Sequence, residues 1–186
     1  RGRNDRARDF AWPLLELEAL LAVDPDPLLA AAADRLARAI DARFEAGART
    51  FRFGEGEVDP GVYLERAWLT GGLVLPALRR HLRRRPDAAI AAHVETVGQA
   101  LLERIGSARG GLPTHWRIAG GRVFAEHRVE RDPRALLLLE GLPERELRRL
   151  LRREECRASV AETPNPDDPD LPTSFAIAAR CSWLYR

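Results

Sequence analysis

DPLLAAAADRLARAIDARF, residues 26–44, decides the fold class. Apolar residues recur at Leu28, Leu29, Leu36, Ala39, Ile40 and Phe44, a stripe of helical period. Asp26 stands where an N-cap belongs, and Pro27 suits the first helical position. The spacing predicts a helix over 27–46. DAAIAAHVETVGQALLERI, residues 87–105, carries the same pattern at Ile90, Val94, Val97, Leu101 and Ile105, behind a second cap at Asp87. Sliding the first stretch until Asp26 meets Asp87 also brings Ala30 onto Ala91, Ala39 onto Ala100 and Arg43 onto Arg104. Upstream, Leu14, Leu17 and Leu21 fall on Leu75, Leu78 and Leu82. Similarity at a fixed period is the mark of repeated supersecondary units.

The connections alternate in length. A helix near 10–23 reaches 27–46 through the short link VDPDP, and a helix near 61–84 reaches 87–106 through RRPD. Further helices are expected at 133–142, 144–157 and 173–186. Short links join antiparallel neighbours. Long connections at about 47–60, 107–132 and 158–172 should then emerge on one side, and loops on a rigid scaffold are where function concentrates. Within the longest, the runs His115 to Ile118 and Arg122 to Phe124 flank Ala119-Gly120-Gly121 and predict a small β-hairpin. The expected architecture is all-α: antiparallel αα-hairpin repeats, toroid-like or a partial toroid, with that hairpin in the longest loop. Residues 1–9 read as an N-terminal tail and 10–186 as one helical domain, part of a larger toroid or complete.

Composition bounds the alternatives. Of 186 residues, 45% are apolar and 31% charged, enough for a core and unlike a disordered tail. No apolar run is long enough for a membrane span. Cys156 and Cys181 are too few for a disulfide framework or a four-cysteine zinc site. The chain contains no Met, so an excerpted or processed piece is expected. Every one of its 30 basic residues is Arg, which reads as coding bias before selection for anion binding. A net charge of +2 is too balanced to argue for nucleic acid. A cytoplasmic location is favoured only slightly, and no cofactor is expected.

The helix at 26–44, the loop TFRFGEGEVDPGVYLERAW, the helix WLTGGLVLPALRRHL, the helix at 87–105 and the loop GSARGGLPTHW together resemble the (α/α) toroid enzymes. These six-hairpin proteins include glycoside hydrolases, polysaccharide lyases and sugar epimerases. The resemblance is architectural and covers most of the chain, with fewer hairpins than a closed ring needs. It implies a substrate cleft on the long-loop face and assigns no catalytic residue.

Candidates follow from chemistry. The first loop holds Glu55, Glu57 and Asp59, with Tyr63, Arg66 and Trp68 beyond it. Glycoside hydrolysis needs two carboxylates about 5–10 Å apart. Glu55 and Glu57 alternate in an extended segment, so one of them can pair with an acid from another loop; the rival is a solvated acidic turn. In the second loop, His115-Trp116 and Glu126-His127 would sit near the open ends of the hairpin. His115, His127 and Glu126 suit proton transfer, and Trp116 offers a stacking face. A structural role, or a metal at His115, Glu126 and His127, are the rivals, though no spacing here is a zinc signature. The third loop clusters Asp167, Asp168 and Asp170 among prolines and reads first as a rigid connector. His93 lies mid-helix beside apolar neighbours and reads as a packed or boundary histidine. Trp12, Trp68 and Trp183 default to core packing. Gly71-Gly72 in a helical pattern costs about 1–2 kcal/mol, to be justified by close helix approach unless the helix breaks there.

The run RRHLRRRPD, with Arg79, Arg80, Arg83, Arg84 and Arg85, is the densest basic patch. It sits at a helix C-terminus, which favours positive charge in any case, and no aromatic residue interleaves it. Nucleic acid is therefore unlikely there. The functional expectation is a carbohydrate-active toroid-type enzyme taking an oligosaccharide or other small-molecule substrate. The alternatives are a helical scaffold binding a protein partner and an Arg-rich subunit of a nucleic-acid complex.

Overall fold

The computed structural model describes residues 6–54, 57–107 and 115–126. Two helical hairpins and two antiparallel sheets share one core. Helix α1 (Ala7–Leu21) and α2 (Pro27–Asp41) form the first hairpin. The short helix α3 (Ala67–Leu69) passes through a π-helical turn, Thr70–Val74, into α4 (Leu75–Arg84), which pairs with α5 (Ala88–Ser107). Helix α1 packs on both α2 and α4.

The two caps are built alike. The Asp26 carboxylate accepts from the backbone N–H groups of Leu28 and Leu29 at 2.6 and 3.1 Å. The Asp87 carboxylate accepts from Ala89 and Ile90 at 3.0 and 3.2 Å. Each satisfies helix donors that would otherwise lack partners, so Asp26→Ala and Asp87→Ala should each cost about 1 kcal/mol in urea unfolding. The apolar stripes then bury Ala33, Ala37 and Ile40 from α2, and Val94, Val97 and Leu101 from α5. The surroundings diverge at the charged positions: Asp34 is buried, whereas Glu95 is exposed.

Gly71 and Gly72 lie inside the π turn, which packs against α1. The glycine pair thus coincides with a change in helical hydrogen bonding.

The all-α expectation is corrected by the strands. A two-stranded sheet joins β1 (Phe44–Glu45) to β2 (Thr50–Phe51). A four-stranded antiparallel sheet runs β3 (Glu57–Asp59), β4 (Val62–Arg66), β5 (His115–Ala119), β6 (Arg122–Glu126), in that spatial order. No toroid of hairpin repeats is formed by the described residues: hairpins described in the connections after α2 and α5 pair with each other through β4 and β5. The helix expected over 27–46 stops at Asp41 because Phe44 leaves the helical stripe to pair with Phe51. The helix expected over 61–84 begins only at Ala67. Val62 to Arg66 is β-branched and aromatic at its start and follows a tight turn through Gly61, whose φ of +75° suits glycine. The hairpin around Gly120 and Gly121 is present, with φ of +56° and +71° as a two-residue turn of this hand requires. It is half of the larger sheet rather than an isolated loop feature. Helix α1 begins at Ala7, a buried residue within the stretch read as a tail. The helices expected at 133–142, 144–157 and 173–186, the loop at 158–172 with its aspartates, and Cys156, Cys181, Trp183 and His127 lie outside the described residues.

Strand register divides the sheet into two faces. Tyr63 pairs with Ile118, and Ile118 with Val123, while Trp116 lies on the same side two residues along. Trp116 and Ile118 are buried, and Val123 packs against the core, so this is the inner face. Arg66 opposite His115, Leu64 opposite Arg117, and Arg117 opposite Phe124 take the outer face.

Candidate functional site

Three groups of polar side chains stand out, and the sequence singled out only parts of them. The first is a joint between helices. Glu18 on α1 is 3% exposed and His81 on α4 is 2% exposed, and the His81 Nδ1 lies 2.7 Å from Glu18 Oε1. Arg84 grips the same carboxylate with Nε at 2.8 Å and Nη2 at 3.0 Å, and that Nη2 also reaches Asp34 Oδ1 on α2 at 3.0 Å. Arg85 pairs with the other Asp34 oxygen at 3.1 Å. Hydrogen bonds donated to Glu18, then to Asp34, raise the Arg84 guanidinium above the ordinary arginine value despite partial burial. Two of the five arginines at 79–85, Arg84 and Arg85, are therefore tied to carboxylates of α1 and α2. Arg79 also leans on α5, its guanidinium close to Gly98, and burial pulls it below the ordinary value. This arrangement holds α1, α2 and α4 together and presents no open carboxylate.

The second group brings two nominated residues together. Tyr63 Oη donates to Glu57 Oε1 at 3.2 Å, and the Gly61 N–H donates to the same oxygen at 3.4 Å. The Arg52 guanidinium lies over the Tyr63 ring, 4.3 Å from its centroid. Its other partner is Glu45 on β1, at 2.8 Å. Partial burial raises the Tyr63 phenol above its ordinary value; Arg52 opposes this, while Glu57 and Glu45 add to it. Tyr63 therefore remains a proton-bearing donor across the neutral range. The group is half open to solvent. It contains two carboxylates from different hairpins, Glu45 and Glu57, with a tyrosine and an arginine between them. Glu45 and Arg52 were not singled out in the sequence. The adjoining signal was the Phe44–Phe51 pairing, which puts Glu45 and Arg52 on the same face of that hairpin.

The third group is the outer face of the four-stranded sheet. Arg66, His115 and Glu126 occupy one rung across β4, β5 and β6. His115 and Glu57 lie on opposite sides of the sheet, because His115 pairs with Arg66, whereas Glu57 pairs with Tyr63. Asp59 pairs with Val62 and is exposed. Trp116 is 1% exposed, faces the core and offers no stacking surface. Phe124 is 46% exposed on the outer face, opposite Arg117. Strand parity across Gly120-Gly121 carried that information, since Trp116 and Ile118 inward leave Phe124 outward. Trp68 is half-buried against the core, and Trp12 is exposed.

His93 is held at a boundary. Its Nδ1 lies 2.7 Å from Asp41 Oδ1, and its ring stacks on Phe44 at 3.9 Å between centroids. Among the described residues, no cluster of three or more His, Cys, Asp or Glu side chains is placed to hold a metal ion. No helix among them is long and apolar enough to cross a membrane. No family model matches the chain, and neither the curated proteins nor the solved structures yielded a match.

Proposed function

We propose that the chain is a carbohydrate-active enzyme working at Glu45, Arg52, Glu57 and Tyr63. One observation carries this reading: Glu57 accepts from Tyr63, and Glu45, from a separate hairpin, pairs with the Arg52 guanidinium that lies over the same tyrosine ring. Glu57 is the proton donor and acceptor at the glycosidic oxygen, with Tyr63 holding its carboxylate in position. Glu45 supplies the second carboxylate that hydrolysis or elimination requires. Arg52 and Tyr63 hydrogen-bond sugar hydroxyls. Glu57→Gln keeps the shape and removes the titrating group, so turnover should fall ~100-fold or more while binding persists. The measurement is reducing-end release from a panel of acidic and neutral oligosaccharides, alongside calorimetric titration. Absence of both binding and turnover in the folded wild-type protein would overturn the reading.

A non-catalytic scaffold is favoured by a different observation. Trp12, Leu20, Val23 and Leu28 are 52%, 55%, 86% and 80% exposed on α1, the link after it and the start of α2. Exposed apolar side chains suit a protein partner where they form one continuous patch. Under that reading Leu20→Ser weakens partner binding, and the Glu57 variant is indistinguishable from wild type.

A further inference from the structure

His81 and His93 are each held by a carboxylate, and they differ in access. His81 is sealed: it is 2% exposed, its Nδ1 lies 2.7 Å from Glu18, and its Nε2 faces Asp34 at 3.9 Å. His93 on α5 is open. Its Nδ1 lies 2.7 Å from Asp41 Oδ1, and its side chain is 34% exposed. Its Nε2 has no hydrogen-bond partner among the described residues.

The ring is fixed in both tautomer and direction. An ionised carboxylate has no proton to give, so Nδ1–H is the donor and the lone pair is left on Nε2. The ring also stacks on Phe44, with centroids 3.9 Å apart and planes 16° from parallel. Asp41 is the last residue of α2, so the carbonyl end of that helix lies beside the carboxylate. Both favour positive charge on the imidazole, and positive charge is what develops there when Nε2 attacks an electrophile.

We propose that His93 is an acyl-accepting nucleophile, with Asp41 as its positioning residue and neutral activated esters as its substrate class. A phosphoryl donor would bring further negative charge against Asp41 and the end of α2, whereas an ester brings none. The Nε2 lone pair forms a bond to the carbonyl carbon, and the C–O bond to the leaving phenolate breaks with its electron pair. The acyl-imidazolium keeps its Nδ1 proton hydrogen-bonded to Asp41. Water then adds to the acyl carbon, the C–N bond breaks and its pair returns to Nε2. The water hydroxyl ends in the acid product, and its other proton goes to solvent. None of Glu45, Arg52, Glu57 and Tyr63 takes part, so this proposal is independent of the saccharide reading.

The test is release of p-nitrophenolate from p-nitrophenyl acetate by the full chain, with the acetyl group located by mass spectrometry after an acid quench. The chain has no Lys, so no lysine amine competes for that group. His93→Gln should lower the background-corrected rate about 100-fold, the low end for a positioned proton-transfer group. Asp41→Asn should lower it about 10- to 100-fold, as for other carboxylates that orient a histidine, and Asp41→Glu should recover part of the loss. Heteronuclear NMR of the imidazole nitrogens adds a readout that packing alone does not move. In the wild type the His93 proton should reside on Nδ1, and in Asp41→Asn the ring should return to a mixture of tautomers. A wild-type rate no higher than buffer, an acetyl group found on another residue, or wild-type rates in both His93→Gln and Asp41→Asn would each overturn the proposal. Where a variant fails to fold, the wild-type adduct position and tautomer still decide it.

Discussion

Replacing Glu18 by alanine should destabilise the protein by about 3–5 kcal/mol, the cost of breaking a buried ion pair from one side. The magnitude follows from what the carboxylate leaves behind. His81 is 2% exposed and has Glu18 as its close partner at 2.7 Å. Arg84 loses two of its three carboxylate hydrogen bonds and keeps the one to Asp34. A buried polar group without its partner keeps the full desolvation penalty. The sharper expectation is non-additivity. Glu18→Leu combined with His81→Leu removes both buried ends, and Arg84 can turn its partly exposed side chain to water. That double variant should therefore recover most of the loss, because well-packed apolar replacements of buried pairs are often neutral. Urea midpoints of the two single variants and the double variant measure this. Simple addition of the two losses would mean that the joint is only packing.

Trp116→Ala should cost a further 3–5 kcal/mol or so, comparable to other large-to-small core changes. The ring lies inside with Phe51 and Leu101 among the fully buried side chains, and the Arg104 guanidinium sits 5.7 Å from its centroid. The loss is expected in the unfolding midpoint, with ligand affinity unchanged in whatever fraction remains folded. Trp116→Phe should recover more than half of it. If Trp116→Ala instead left stability intact and abolished saccharide binding, the inward orientation of the ring would be wrong.

The helices were legible because their information is local. Asp26 and Asp87 announce their own caps, and the stripes at Ile40 and Leu101 bury as their spacing implies. The β-hairpin at Gly120-Gly121 was legible for the same reason. What failed was pairing across distance. Val62 to Arg66 carries apolar residues that a helical period accommodates, and only its partnership with residues 115–119 makes it a strand. Once that strand was read as helix, Tyr63 and Trp116 could not be assigned to a face, and a stacking role was given to Trp116, which the sheet turns into the core. The Glu18–His81–Asp34 joint was hidden differently. Each member looks like a surface charge on its own helix, and burial appears only when α1, α2 and α4 meet. Of the nominated site residues, Glu57 and Tyr63 were brought together by a two-strand turn. Arg66, His115 and Glu126 were aligned by register alone.

The correction of the all-α reading and the two faces of the large sheet depend on the pairing of β4 with β5, since it sets which side chains share a face. The direct measurement is the pattern of backbone proton contacts by nuclear Overhauser spectroscopy over residues 61–66 and 115–119. The structure predicts cross-strand contacts linking Val62 with Ala119, Leu64 with Arg117, and Arg66 with His115. Contacts between residues three apart within 61–66, with none reaching 115–119, would show a helix there and contradict the sheet, both of its faces and the sites assigned to them.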